Sequence, residues 1–204
     1  MIAADGSAAS GKTTGAKRIA KKYGMKFLSS GLLYRYASYM LLKNKPKNNI
    51  SFLKKCFKNL NLSKLHNKSL HLPEISTHAS IIAKQQRIRL ILKSFQKEFA
   101  KKYNRVVIEG RDIQTKILPK ADIKFFFKCS LNVASRRRFK ELKKNNKNTK
   151  LEDVKKAMRI RDNLDKKRKI SPLTQAKNAV IVQTDKLKVN DVIDMMSKVI
   201  EKKI

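Results

Sequence analysis

Residues 6–13 read Gly6-Ser7-Ala8-Ala9-Ser10-Gly11-Lys12-Thr13 and match G-x-x-x-x-G-K-[ST] at every fixed position. A short apolar run, residues 1–4, precedes them, and a helical pattern follows over residues 12–23 until Gly24 stops it. Strand, glycine-bounded loop and helix is the order that phosphate binding requires. The glycines let backbone N–H groups turn inward around an anion. The helix start adds its partial positive charge. Lys12 is placed to bridge the outer phosphates of a nucleoside triphosphate, and the Thr13 hydroxyl to hold Mg²⁺ arriving with it. The ATP-binding candidates are Gly6, Ser7, Ala8, Ala9, Ser10, Gly11, Lys12, Thr13 and Thr14. Residues 1–4 are short for a central strand, which leaves a start further upstream open.

Outward from this loop the pattern alternates. Residues 26–28 read as a second strand and 31–42 as a second helix. Residues 43–73 are rich in Lys and Asn with short apolar patches, an irregular or small-helical insert. Helical spacing returns over residues 76–101, where Ile81, Ile82, Ile88, Ile91, Leu92, Phe95 and Phe99 recur three or four apart. Residues 105–108 and 123–127 are apolar runs of the length of buried parallel strands. Charged helices over 131–144 and 151–167 flank a Lys/Asn hinge, and a strand at 179–182 leads to a closing helix at 189–202. Strands alternating with helices mean an α/β domain with three layers, a P-loop NTPase fold around a mostly parallel central sheet. The organisation expected is one domain: core 1–42, 102–139 and 170–204, with an insert near 43–101 and a helical segment near 140–169.

The chain has 204 residues, 41% of them hydrophobic, enough for an ordinary core and against wholesale disorder. Its net charge is +35, from 50 Lys+Arg against 15 Asp+Glu. Such a balance raises nucleic-acid binding first. Lysines are spread along the whole chain beside abundant Asn, as in residues 143–148, which reads as compositional drift on solvated faces. No RNA-recognition aromatic motif, helix-turn-helix pattern or zinc knuckle stands out, so no specific nucleic-acid partner is expected. Two distant cysteines, Cys56 and Cys129, make neither a disulfide framework nor a zinc site. No apolar run reaches the ~18–20 residues of a membrane span, and Asp5 and Gly6 stand where a signal peptide would be apolar. A cytoplasmic location is the default expectation.

A guanine-reading N-K-x-D motif, which a switch GTPase requires, is missing from the appropriate region. A small-molecule kinase instead needs a second anion site, best lined by arginines whose planar fork grips phosphate bidentately. Arginine is scarce here, and several fall in motif-like segments: Arg35, Arg89, Arg111, Arg136–Arg138, Arg161 and Arg168. The segments Ile2–Thr14, Ser30–Arg35 (SGLLYR), Glu109–Pro119 (EGRDIQTKILP), Ala121–Phe127, Arg136–Phe139 and Ile160–Leu173 (IRDNLDKKRKISPL) then carry a resemblance. In content and order they are similar to the bacterial cytidylate kinases, a family of nucleoside monophosphate kinases, over nearly the whole chain.

The resemblance implies ATP-dependent phosphorylation of CMP and dCMP by in-line transfer. Ser30, Tyr34 and Arg35 would approach the acceptor nucleotide, with Arg35 and Arg111 on its phosphate. Ser80, Arg89 and Asp112 match the cytosine readers. Asp112 and Ser80 can accept from the exocyclic amino group that uracil lacks, and Arg89 can donate. Arg161 and Asp165 would contact ribose and phosphate. Arg137 or Arg138, and Arg168, would bring charge to the transferring phosphoryl group. The segment near 140–169 would be a lid and the insert near 43–101 the acceptor-binding part, and the two would close over both nucleotides and exclude water. A monomer is implied. The plainer reading of Asp112 and Asp165 is an ion pair with a neighbouring arginine. Two rival functions are a kinase of another pyrimidine monophosphate such as UMP, and a basic ATP-binding protein associated with nucleic acid. Three departures stand out: a shorter acceptor-side insert, a Lys/Asn-rich and looser lid, and Gln114 where the family has glycine, which should reshape the turn beside Arg111. Cys56, Cys129, His66, His71 and His78 fit no catalytic pattern and read as structural or surface residues.

Overall fold

The computed structural model describes residues 1–143 and 149–203. In chain order the elements are β1 (Ile2–Gly6), α1 (Lys12–Lys22), β2 (Lys26–Ser29), α2 (Ser30–Asn44), α3 (Asn49–Lys58), α4 (Pro73–Ile82), α5 (Gln86–Tyr103), β3 (Val106–Gly110), β4 (Ile123–Lys128), α6 (Leu131–Lys143), α7 (Leu151–Lys167), β5 (Val180–Gln183) and α8 (Val189–Glu201). Short 3-10 helices at Leu62–His66 and Lys68–His71 and a π-helical turn at Ile113–Ile117 complete the described residues. The expected α/β class holds. The Lys/Asn hinge of the lid falls on residues 144–148, outside the described residues.

The strands form one sheet in the order β2-β3-β1-β4-β5. β1 runs parallel to both its neighbours, Ala4 opposite Glu109 on one side and Phe125 on the other, and β4 runs parallel to β5. All five residues of β1 are buried. Ala3 and Ala4 suit it, because their small side chains let helices approach a central strand from both faces. The chain passes from β1 toward one edge and returns to cross to the other at β4. Ligands of open parallel sheets bind at such a switch point, outside the carboxyl ends of the strands. The loop after β1 stands there.

The chain packs as two units, residues 1–27 with 105–204, and residues 28–104. In the first, Phe125 and Phe127 of β4 meet Ile19 and Ala20 of α1 and Val192, Met196 and Ile200 of α8. Apolar residues three or four apart, Ala16, Ile19 and Ala20 on α1 and Val192, Met196 and Ile200 on α8, produce this stripe. A second cluster joins Ala134 on α6 to Val154 and Met158 on α7, with Ala8 and Ala9 of the loop packed against it. Helices α6 and α7 therefore lie on the loop itself.

In residues 28–104 the insert is more regular than its composition suggests. Asparagines that read as drift cap its turns: Asn48 accepts from the Ile50 and Ser51 N–H groups at 3.1 and 3.0 Å, and Asn61 and Asn67 open the two 3-10 helices. Phe57 lies edge-on to Tyr36 and Phe95, with ring centroids 5.8 and 5.6 Å away. The single helical run expected over 76–101 is two helices, α4 and α5. The break leaves the Ala83 carbonyl open, and buried Arg89 donates to it at 3.1 Å.

Candidate functional site

The loop between β1 and α1 takes its shape from two glycines. A Cβ on Gly6 would stand 2.5 Å from the Phe127 carbonyl oxygen and 2.8 Å from the Phe127 Cβ, so only glycine lets β1 lie this close to β4. Gly11 adopts φ +84°, the left-handed region that glycine enters freely. Lys12 then begins α1 with its side chain 7% exposed. Its ammonium donates to the Ser7 carbonyl at 3.2 Å and lies 3.8 Å from Glu109, at the end of β3. Burial, and then the positive charges of Arg111 and Arg161, bring the Lys12 pKa down to about 7, with Glu109 and Asp165 opposing. Thr13 and Thr14 are exposed on the first turn of α1.

Four charged groups stand beside the loop. Arg111 donates through Nε to Asp165 at 2.8 Å and through Nη1 to the Gly6 carbonyl at 2.7 Å. Arg168 donates to the other Asp165 oxygen at 3.4 Å, lies 3.9 Å from Asp112, and also bonds the Ser171 carbonyl. Asp165 thus holds one guanidinium on each oxygen, and Asp112 shares the second. Burial alone would raise the Asp165 pKa, but Arg111, Arg161 and Arg168 together hold it below the usual carboxylate range. Burial likewise works against the Arg111 charge, and Asp165, Glu109 and Asp162 outweigh it, so its pKa is raised. The ion pairing read as the plainer role of Asp112 and Asp165 is present. It also holds two guanidinium groups side by side, one of which, Arg111, is bonded to the loop backbone.

Arg137 lies at the back of the loop. It donates to the Thr184 hydroxyl at 3.0 Å and carbonyl at 2.6 Å, and to Cys129 Sγ at 3.6 Å, while the Thr184 hydroxyl donates to the Ser10 carbonyl at 2.9 Å. Arg138 pairs with Glu141 on its own helix at 3.0 Å. Within residues 28–104, Ser30 is buried in the first turn of α2, Arg35 shares a 3.0 Å hydrogen bond with His71 Nδ1, and Arg89 lies over the Tyr34 ring at 5.8 Å. Ser80 Oγ donates back to the Ser76 carbonyl at 3.2 Å. His78 shares a 2.8 Å bond with buried Ser38.

Three side chains outside the sequence candidates enter the site. Asp162 accepts from the Ala8 N–H at 3.2 Å, placing a carboxylate of α7 on the loop backbone. Gln114, buried at 1% exposure, donates to the Phe125 carbonyl at 2.7 Å and accepts from the Ala176 N–H at 3.3 Å. Gln114 lies in the π-helical turn beside Arg111, and its side chain ties that turn to β4 and to the segment after Leu173. Asp5 accepts from the first two N–H groups of that turn, Ile113 at 3.0 Å and Gln114 at 2.8 Å. Asp162 and Gln114 lay inside recognised motifs, which was the one available signal; Asp5 had none beyond being a carboxylate in an apolar strand.

Among the described residues no group of three or more His, Cys, Asp or Glu side chains could hold a metal ion. A hydroxyl such as Thr13 beside phosphate oxygens suits a hard cation that keeps few protein ligands.

A family model described as cytidylate kinase matches residues 2–202. The protein named cytidylate kinase from Clostridium botulinum (strain Okra / Type B1) is 36% identical over 212 aligned positions, covering 98% of this chain and 97% of its own. That of Thermosipho melanesiensis is also 36% identical, covering 99% and 97%. Among solved structures, shikimate kinase from Bacteroides thetaiotaomicron superposes with a TM-score of 0.53 at 15% identity, covering 98% of this chain and 97% of that one, a likeness of fold alone.

Proposed function

We propose that this chain, which belongs to the cytidylate kinase family, transfers the γ-phosphoryl group of ATP to CMP and dCMP. The observation that carries the reading is a buried Lys12 inside an intact phosphate loop, with Arg111 bonded to the Gly6 carbonyl of that loop. Donor and acceptor anions each have a cation ready, and the two cations share one backbone segment.

The acceptor is already a phosphate anion, so no strong general base is needed. Lys12 exchanges its Ser7 carbonyl for the outer phosphates of ATP. Mg²⁺ supplies neutralisation of the donor phosphates when bound, and the Thr13 hydroxyl is the side chain that would hold it. Arg111 and Arg35 grip the acceptor phosphate; Arg161 and Asp165 hold ribose and phosphate. Ser30 and Tyr34 approach the same nucleotide, and Ser80, Arg89 and Asp112 read cytosine. Arg168, with Arg137 or Arg138 of α6, neutralises charge that develops on the transferring group. Core 1–42, 102–139 and 170–204, insert 43–101 and lid 140–169 divide these tasks. No helix among the described residues is long and apolar enough to cross a membrane, and the two free thiols suit the cytoplasm. We assign a monomer on the family resemblance.

Purified protein with Mg-ATP and, separately, CMP, dCMP, UMP, AMP and GMP tests this through ADP and diphosphate product. CDP and dCDP should form fastest. Preference for UMP would discard Ser80, Arg89 and Asp112 as base readers, and no turnover on any monophosphate would remove the kinase reading.

A further inference from the structure

Asp5 is the last side chain of β1 before the loop, 0% exposed, and the mechanism above gives it no task. Its Oδ1 accepts from the Ile113 N–H at 3.0 Å and its Oδ2 from the Gln114 N–H at 2.8 Å. Those two N–H groups open the turn directly behind Arg111 and Asp112. One residue on, the Gly6 carbonyl accepts from Arg111 at 2.7 Å. Three bonds therefore stitch residues 5–6, from which the donor loop springs, to residues 111–114. The charges acting on Asp5 include Asp112 and Arg111, both just before that turn. Its register partners on β3 and β4, Gly110 and Phe126, are uncharged. Burial raises the Asp5 pKa to about 7 against the pull of its two N–H donors.

We propose that Asp5 is a positioning residue for phosphoryl transfer: its carboxylate fixes the Arg111–Asp112 turn relative to the phosphate loop, and so sets where acceptor meets donor. The proposal rests on the cytidylate kinase reading. An ionised carboxylate accepts both N–H groups, whereas the protonated form presents a hydroxyl to one of them and the turn loosens. The acceptor then binds the ionised form better, and by reciprocity acceptor binding lowers the midpoint at which Asp5 titrates. A purely through-space effect of an anionic acceptor has the opposite sign and would raise it.

Two measurements test this. The first is steady-state kinetics of Asp5→Asn at pH 8, with the folded fraction checked by thermal melting. The turn is misplaced rather than lost, so kcat/KM for CMP should fall about tenfold or more while KM for Mg-ATP stays within about twofold. The second uses the unaltered protein: a carbon-13 NMR titration of the Asp5 carboxyl with and without CMP, which decides the matter even where the variant fails to fold. A midpoint near neutral that drops on adding CMP supports the proposal. A folded variant with unchanged kcat/KM for CMP overturns it, as does a midpoint that rises or stays in place. Wild-type protein that turns over no monophosphate fails at an earlier step and removes the cytidylate kinase reading itself.

Discussion

Binding of ATP should draw a proton from solution, and Lys12 is the group that takes it. Without nucleotide its pKa is brought down to about 7, first by burial and then by Arg111 and Arg161. At pH 7 roughly half of the amines are then neutral, and at pH 8 about nine-tenths. Phosphate oxygens in contact with the ammonium replace the missing hydration and restore the charged form. Uptake is thus ~0.5 proton per ATP bound at pH 7 and ~0.9 at pH 8. Isothermal calorimetry in buffers of small and large ionisation enthalpy reads this directly, since apparent enthalpy plotted against buffer enthalpy has the proton count as its slope. Lys12→Arg keeps a cation whose titration lies above about pH 12, so its slope should fall toward zero. Asp5 also titrates near neutral but is common to both proteins, and the difference between the slopes isolates Lys12. Equal slopes in the two proteins at pH 8, or a wild-type slope near zero, refute the reasoning.

Other outcomes follow from the loop's surroundings. Gly6→Ala puts a methyl 2.5 Å from the Phe127 carbonyl oxygen in the middle of the sheet; it should cost about 3 kcal/mol or more in urea unfolding, and an unchanged midpoint would show that β1 and β4 can separate freely. Gln114→Gly deletes two bonds, to Phe125 and Ala176; a loss of about 2 kcal/mol is expected, seen as faster hydrogen exchange at Ala176. Asp162→Ala removes the carboxylate that occupies the Ala8 N–H, so KM for ATP should fall several-fold; a rise would mean that Asp162 holds the loop in its binding shape.

Much of this was legible before any coordinates. The loop 6–13 announced itself because phosphate binding fixes residue type at nearly every position, and the strands at 105–108 and 123–127 stood out as buried apolar runs. What could not be read depends on partners far away in the chain. The turn Ile113–Ile117 has apolar residues at its ends and polar ones between, and the acceptor for its first two N–H groups is Asp5, 108 residues before Ile113. The break between α4 and α5 contains neither Gly nor Pro, and apolar spacing continues through Ile81, Ile82 and Ile88. It is held by Arg89, which the motif pattern had marked only as a base reader. At the site, the family resemblance singled out Arg111, Asp165 and Arg168, and the structure brings these three together, with Arg111 bonded to the loop at Gly6. The resemblance gave no sign that Arg137 is tied to Thr184, because that partner lies in the irregular segment after β5.

Asp5 and Lys12 together show why these contacts are not there for stability. The Asp5 pKa in the folded chain, about 7, lies above its ordinary 3.8, so its contribution to folding is complete below that ordinary value and lost as the pH rises through 7. Lys12, at about 7, lies below its ordinary 10.5, so its contribution is complete above 10.5 and lost as the pH falls through 7. Each shift of roughly three units amounts to something on the order of 4 kcal/mol. Both losses meet at neutrality, where the ligand-free protein carries two buried groups that would fold more easily uncharged. ATP offsets the share of Lys12 by supplying counter-charge. It offers nothing to Asp5, whose carboxylate accepts from two N–H groups. An apolar residue in its place would avoid the buried charge but would leave those two donors without an acceptor. The charge is therefore retained for the geometry it enforces on the Arg111–Asp112 turn, and its cost is met by the apolar packing of β1 between β3 and β4.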